Sequence, residues 1–281
     1  MSKNVYSSNE KMMRALVIFI LILYAIISFI PFYYTLMTGF KEQFEIFTNG
    51  VFALPNKLNL SNYIAVLKGG IWTYFINSII VTLISLVLIL FCSSLAAYVF
   101  SRLNFKFNNF FFSLIIVSMT IPVHVTLIPI YLLTQKMGLY DSIFALIGPY
   151  VAFNLPISIF ILNNFMQEIP KDLENSAAID GCGKIRTFFN VVLPLSKPGL
   201  VTIGIYVMTT MWNEFIFQLV LTQSKANRTL PLSVWEFQGQ YSSNIPMIMS
   251  VLTLAAAPMI LVFIFGQDKL IKGMMAGAVK S

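Results

Sequence analysis

Long apolar runs separated by short polar stretches set the pattern of this chain. Six runs extend for eighteen residues or more with few or no charges: 15–37, 71–100, 110–133, 142–165, 200–221 and 245–265. About 20 residues at 1.5 Å each cross the hydrocarbon of a bilayer, so each run is long enough to span it. Lipid offers no partner to an unpaired backbone group, so each run is predicted to be a helix. The first run follows Lys11 and Arg14 as a secretory leader would, but it is too long for one and no small-residue cleavage site follows it. An all-α polytopic membrane protein with six transmembrane helices in one domain, 1–281, is the expected fold class.

Composition agrees. Only 10% of the 281 residues are charged, Phe alone occurs 26 times, and the mean hydropathy is +0.81. A soluble domain carries roughly a quarter charged residues, so a cytosolic enzyme and a disordered chain are both excluded. The net charge of +7 is explained by position. With the N-terminus inside, twelve of the 18 Lys and Arg fall in inner segments and six in outer loops. That bias places both termini in the cytoplasm, and the charge then needs no nucleic-acid partner. Cys92 and Cys182 have no partners at metal-ligand spacing, and no metal site is expected.

Three segments outside the membrane are long enough to have roles. The outer loop 38–70 carries a helix signal with Ser61 as N-cap before Asn62-Tyr63-Ile64. The outer loop 222–244 is polar and aromatic, with Trp235, Phe237 and Tyr241. The inner loop 166–199 is the most informative. Pro170 suits a first helical position, Asp172 and Glu174 complement the dipole of a first turn, and Asp180-Gly181 offers a stop. A second short helix, 184–192, is expected to end at Leu193-Pro194. The hairpin reads equally as a docking element or as an amphipathic loop on the headgroups. Gly183-Lys184 does not open a phosphate-binding loop, because that motif needs Gly at 178 and Ser or Thr at 185, where Ala178 and Ile185 stand.

The spacing of this loop resembles the cytoplasmic signature of ABC importer permeases, in which Glu-Ala-Ala is followed at fixed intervals by Gly and by Ile-x-Leu-Pro. Here Asn175-Ser176-Ala177 precedes Gly181, and Val191-Val192-Leu193-Pro194 follows nine residues later. Ala178-Ile179-Asp180-Gly181 is similar to the carbohydrate-importer version, while Asn175 and Ser176 depart from Glu and Ala beside a retained Glu174. Trp212-Asn213-Glu214-Phe215, Thr229-Leu230-Pro231-Leu232, Phe237-Gln238-Gly239-Gln240-Tyr241 and the tail from Gly273 to Lys280 look like the second permease subunit of maltose-type sugar importers.

That resemblance implies a type I, maltose-like permease fold in a bacterial cell membrane. The 166–199 loop would be a coupling helix docked on an ATP-binding subunit, with Glu174, Asn175, Ser176, Ala177, Ala178, Asp180, Gly181, Leu193 and Pro194 at the contact. Trp235, Phe237, Gln238, Gln240 and Tyr241 would meet an extracytoplasmic solute-binding protein. The implied partners are a second homologous permease, two ATP-binding subunits, the binding protein, membrane lipid and a sugar, with ATP and Mg2+ held by the ATPase and no cofactor in this chain. Importers of glycerol phosphate, polyamine or peptide are the alternatives, followed by a secondary transporter.

An ionisable group in lipid costs at least about 2.5 kcal/mol, so each should face protein or a cavity. Within the six runs only His124 and Glu214 qualify, both in the outer half of the core by residue count. Glu214 with Trp212, Asn213 and Gln218 could bind sugar hydroxyls and pack against a ring, or Glu214 could serve as an interhelical partner. His124 is open to the same two readings, and Asn154 and Asn77 are possible pore-lining amides.

Overall fold

The computed structural model describes residues 8–236 and 244–278, with side chains over 11–234 and 244–267. Among these residues the secondary structure is helical. The order is α1 (Ser8–Gly39), α2 (Glu45–Asn49), α3 (Ser61–Lys68), α4 (Ile71–Arg102), α5 (Asn108–Ser118), α6 (Val123–Lys136), α7 (Ile147–Glu168), α8 (Lys171–Ile179), α9 (Lys184–Thr187), α10 (Leu193–Leu195), α11 (Lys197–Trp212), α12 (Ile216–Leu221), α13 (Leu230–Glu236) and α14 (Ile245–Ala278). Four continuous helical stretches are long and apolar enough to cross a membrane: Lys11–Gly39, Ile71–Arg102, Ile143–Glu168 and Ile245–Gln267. Two bent helix pairs, Asn108–Ser118 with Val123–Lys136 and Lys184–Leu195 with Lys197–Trp212, are long and apolar enough only when each is taken together.

The bends are where the observed helices depart from the expected uniform runs. The 110–133 run breaks between α5 and α6 with a turn of 95°. Pro122 lacks an N–H and restricts the residue before it, so the helix ends at Ser118 and restarts at Val123. The fifth run, 200–221, is interrupted after Trp212, and a 70° bend between Lys184–Leu195 and Lys197–Trp212 separates it from the inner hairpin. Leu193-Pro194 does not stop the inner helix. A π-helical turn over Phe188–Val192 leads directly into α10, and Pro194 sits in its first turn, where a missing donor is tolerated.

The chain divides into two compact units. The first comprises Met1–Gly69 with Glu236–Leu254. Its α1 is bare, with none of its most apolar window buried. The turn after α1 is tied to α3 and to the start of α14. Asn62 Nδ2 donates to the carbonyls of Gly39 and Lys41 at 3.0 and 2.9 Å, Ser250 Oγ donates to Gly39 O at 3.2 Å, and Phe40 stacks on Tyr63 at 4.9 Å. Burial pushes the Tyr63 phenol above its ordinary value. The expected helix is present as α3, but Ser61 lies inside it. Asn59 Oδ1 accepts from the Ser61 N–H at 2.9 Å instead.

The second unit is Gly70–Trp235 with Ala255–Ser281. Its core is α4 against α7, with α11 on both. Val81, Ile89, Leu162, Met166, Ile203 and Val207 fill the centre. Small residues bring the helices close, since lipid tails give apolar side chains no reason of their own to leave them. Ser78, Ser85, Ser93 and Ser94 are buried along α4. A Cβ on Gly199 of α11 would come within 2.8 Å of the Phe165 ring of α7.

Candidate functional site

The helix breaks of the second unit surround one cavity of about 760 Å³. Met119, Ile121 and His124 border it from the α5–α6 bend, Phe153, Asn154 and Pro156 from α7, and Thr210, Asn213, Glu214 and Phe215 from the end of α11. Its lining includes no Lys or Arg.

Glu214 is positioned by the break itself. The carboxy end of α11 leaves Asn213 bonded back to Thr209, and the next helix starts two residues after Glu214 with free N–H groups. Glu214 Oε1 accepts the Phe217 N–H at 2.8 Å and so caps α12. Its other oxygen accepts the Tyr150 hydroxyl at 3.1 Å. Gln218 Nε2 donates to that same hydroxyl at 2.9 Å, and Thr229 donates to Gln218 Oε1. A buried chain of hydrogen bonds therefore runs from the cavity wall, through Tyr150, to the foot of α13. Tyr150 was missed by sequence reasoning, because a tyrosine inside an apolar run carries no local signal of a polar partner.

The other intramembrane candidates separate. His124 and Asn213 border the same cavity as Glu214 and are exposed on this chain, and among the described residues His124 makes no hydrogen bond. Asn154 also borders it, with its amide donated to Tyr150 O at 2.8 Å. Trp212 and Gln218 lie behind the wall. The Trp212 indole donates to Ala255 O at 3.1 Å and meets Phe75 edge-on at 5.8 Å. Asn77 serves the loop after α12, donating to the carbonyls of Ala226 and Arg228. Asp141 holds the same loop from the other side.

Asp141 adopts a left-handed backbone, φ 55°, and its Oδ1 accepts the N–H groups of Gln223 and Ser224, each at 2.8 Å. Burial alone would raise this carboxyl, but these N–H groups, with Ser224 and Asn227, bring it below its ordinary value. Ser78 Oγ accepts the Leu230 N–H, fixing the start of α13. Phe237, Gln238, Gln240 and Tyr241 lie outside the described residues, and Trp235 is described only as α13 backbone.

The 166–199 segment forms the expected hairpin. Pro170 stands at the N-cap position, one residue before the expected first helical position, and makes no capping bond, and Gly181, at φ +80°, ends the helix. Cys182 N–H bonds to Ala177 O at 2.9 Å and Gly181 N–H to Ala178 O at 3.0 Å, a closure that needs a left-handed residue where only Gly is unstrained. Asn175, Ser176, Ala178 and Asp180 are exposed, Ala177 and Leu193 are half-buried, and Pro194 is exposed. Ile179 and Ile185 stand 87% and 77% exposed at the tip, far more than apolar residues gain by facing water. Glu174 turns inward, its Oε1 2.6 Å from Arg102 Nε. No group of three or more His, Cys, Asp or Glu able to hold a metal occurs among the described residues.

Residues 89–275 match the family described as binding-protein-dependent transport system inner membrane component. The chain is 55% identical over 260 residues to ORF2 of Caldicellulosiruptor sp. (strain Rt8B.4), named as an ABC transporter permease protein, covering 92% of this chain and 94% of that protein. It is 34% identical to the sulfoquinovosyl glycerol transport system permease protein SmoH of Agrobacterium fabrum, over 89% of this chain and 88% of the relative. Among solved structures, a chain of a bacterial ABC transporter involved in the import of the acidic polysaccharide alginate superposes with a TM-score of 0.82. The identity there is 22%, over 95% of this chain and 99% of that one, so this likeness speaks for the fold. With broken helices round a central cavity, the chain is a multi-pass transporter subunit of the cell membrane and belongs to the family of binding-protein-dependent transport system inner membrane components.

Proposed function

We propose that this subunit forms half of the translocation pathway of an ATP-driven importer for a sugar or oligosaccharide. One observation carries the reading. The cavity presents a fixed carboxylate, amides and aromatic rings, with no Lys or Arg in its lining. Glu214 is held by Tyr150 and Phe217 N–H, so its remaining lone pairs accept hydroxyl protons, while Phe153 and Phe215 offer faces for the apolar side of a sugar ring. A phosphorylated or carboxylated solute would lack a cation here. The name of a relative for neutral sugars, the arabinooligosaccharides transport system permease protein AraQ of Halalkalibacterium halodurans, supports the same reading.

In this reading both termini and the α8–α9 hairpin are cytoplasmic. Ile179 and Ile185 seat the hairpin in a groove on a separate ATP-binding subunit, which supplies ATP and Mg2+ and performs all the hydrolysis. A second homologous permease completes the cavity, and an extracytoplasmic binding protein delivers the solute near Trp235 to Tyr241. Closure of two ATPases moves the hairpins and switches the bundle between inward and outward openings.

The test is co-expression with an ATPase subunit and a partner permease. The chain alone should neither bind nor hydrolyse ATP, and the assembled complex should hydrolyse it faster with a sugar-loaded binding protein. Removing residues 173–181 should abolish assembly. Glu214→Ala should leave assembly intact and impair uptake, and normal uptake in that variant removes Glu214 from the site.

A further inference from the structure

Arg102 is the last residue of α4, and its side chain is only 4% exposed. Its guanidinium reaches two elements at once. Nε lies 2.6 Å from Glu174 Oε1, in the first turn of α8, and the terminal nitrogen donates to Ile169 O at 2.7 Å, at the corner between α7 and α8. The terminal nitrogen is hydrogen-bonded to the carbonyl, whereas Nε and Glu174 Oε1 form a close ion pair without hydrogen-bond alignment, a planar group holding both contacts as a flexible lysine ammonium could not.

Tyr98 lies one turn earlier on the same face of α4. Its hydroxyl donates to Lys184 O at 3.3 Å, the first residue of α9, and its ring stacks on Phe188 at 5.0 Å. The end of α4 thus grips both arms of a hairpin whose outer face is otherwise exposed. Glu174 is 16% exposed, and a sheltered pair of this kind adds little net stability while fixing one register.

Resting on the importer reading above, we propose that Arg102 is a positioning residue that clamps the hairpin to α4, the Arg102–Glu174 pair being the joint through which a displacement of α8 reaches the α4–α7 core. Leu173, half a turn away, is 45% exposed and cannot carry that force by packing alone. Without the joint, α8 can pivot about the Ile169–Pro170 corner while its ATPase contact persists.

Two readouts test this in a Cys92→Ser, Cys182→Ser background. In the first, nitroxide labels at Ile179→Cys and Phe91→Cys report the hairpin-to-α4 distance in the full chain in nanodiscs. One narrow distribution is expected, broadened by Arg102→Gln and narrowed again by the reversed pair Arg102→Glu with Glu174→Arg. In the second, the assembled complex carries Thr210→Cys in the cavity, and its labelling by a water-soluble maleimide is timed with and without ATP and vanadate. The native clamp should give a several-fold change in rate on trapping. Arg102→Gln should reduce it to less than twofold with the ATPase still co-purifying, and the reversed pair should restore it. A full nucleotide-dependent change in Arg102→Gln, or no rescue in either readout, overturns the clamp. If no ATPase co-purifies with the unaltered chain, the importer reading falls, and the nitroxide distances still decide whether Arg102 holds the hairpin.

Discussion

α4 and the α11–α12 pair traverse the same unit and treat their polar groups in opposite ways. α4 runs unbroken from Ile71 to Arg102, and its buried polar groups serve the fold: Ser93 Oγ donates to Leu90 O and Ser94 Oγ to Phe91 O, while Asn77 and Ser78 hold the segment that leads into α13. The α11–α12 pair is interrupted after Trp212, and a carboxylate accepts a backbone N–H at the start of α12 while a phenol and an amide are bonded in line behind it. In hydrocarbon an orphaned donor is costly, so a break forces polar side chains into place and leaves them beside a cavity. The continuous helix spends its polar groups on the fold, and the interrupted one places a carboxylate at a cavity wall.

Removing one polar atom from each region should break or sharpen this contrast. The largest effect is expected for Tyr150→Phe, which strips Glu214 of a donor and Gln218 of an acceptor. Each buried group left unpaired costs about 1–3 kcal/mol, and uptake by the assembled complex should fall about tenfold or more. Next comes Gly199→Ala, where the new Cβ meets Phe165 and overpacks the α7–α11 contact by about 1–3 kcal/mol. A lower midpoint in detergent thermal unfolding should reveal it, with hydrogen bonds at the cavity untouched.

A smaller effect concerns the outer loop. Asp141 titrates below its ordinary value, so its hold on Gln223 and Ser224 is complete above the usual carboxylate range, roughly 3.9, and fades as pH falls through the lowered value. Protection of those two amides from hydrogen exchange, relative to the intrinsic rate at each pH, should be constant from neutrality down to about that pH and fall below it, and Asp141→Asn should remove that acid dependence. The smallest effect is expected for Ser94→Ala on α4, because the hydroxyl bonds only its own helix. A shift in unfolding midpoint as large as that of Tyr150→Phe would contradict the contrast drawn here.

How much could be read from the amino acids differs between the same regions. α1, α4, α7 and the apolar part of α14 follow from run length alone, since a continuous helix needs nothing but enough apolar residues. Pro122 announced a kink but not a 95° turn, which depends on three further residues leaving the helix. Glu214 stood out because a carboxylate in an apolar run must be answered. Its partner Tyr150 did not, for a phenol is common in such runs and its bonding depends on a distant helix. Arg102 read as one more inward positive charge, and only the fold brings it to Glu174. Leu193-Pro194 misled locally, because the preceding π turn lets the helix pass the proline.

The bare flanks of α1 bear on biogenesis. None of its most apolar window is buried, so that helix depends little on burial by the rest of the chain. A chain truncated after the 38–70 loop should therefore still lodge in the bilayer as a durable span, before any tertiary structure exists.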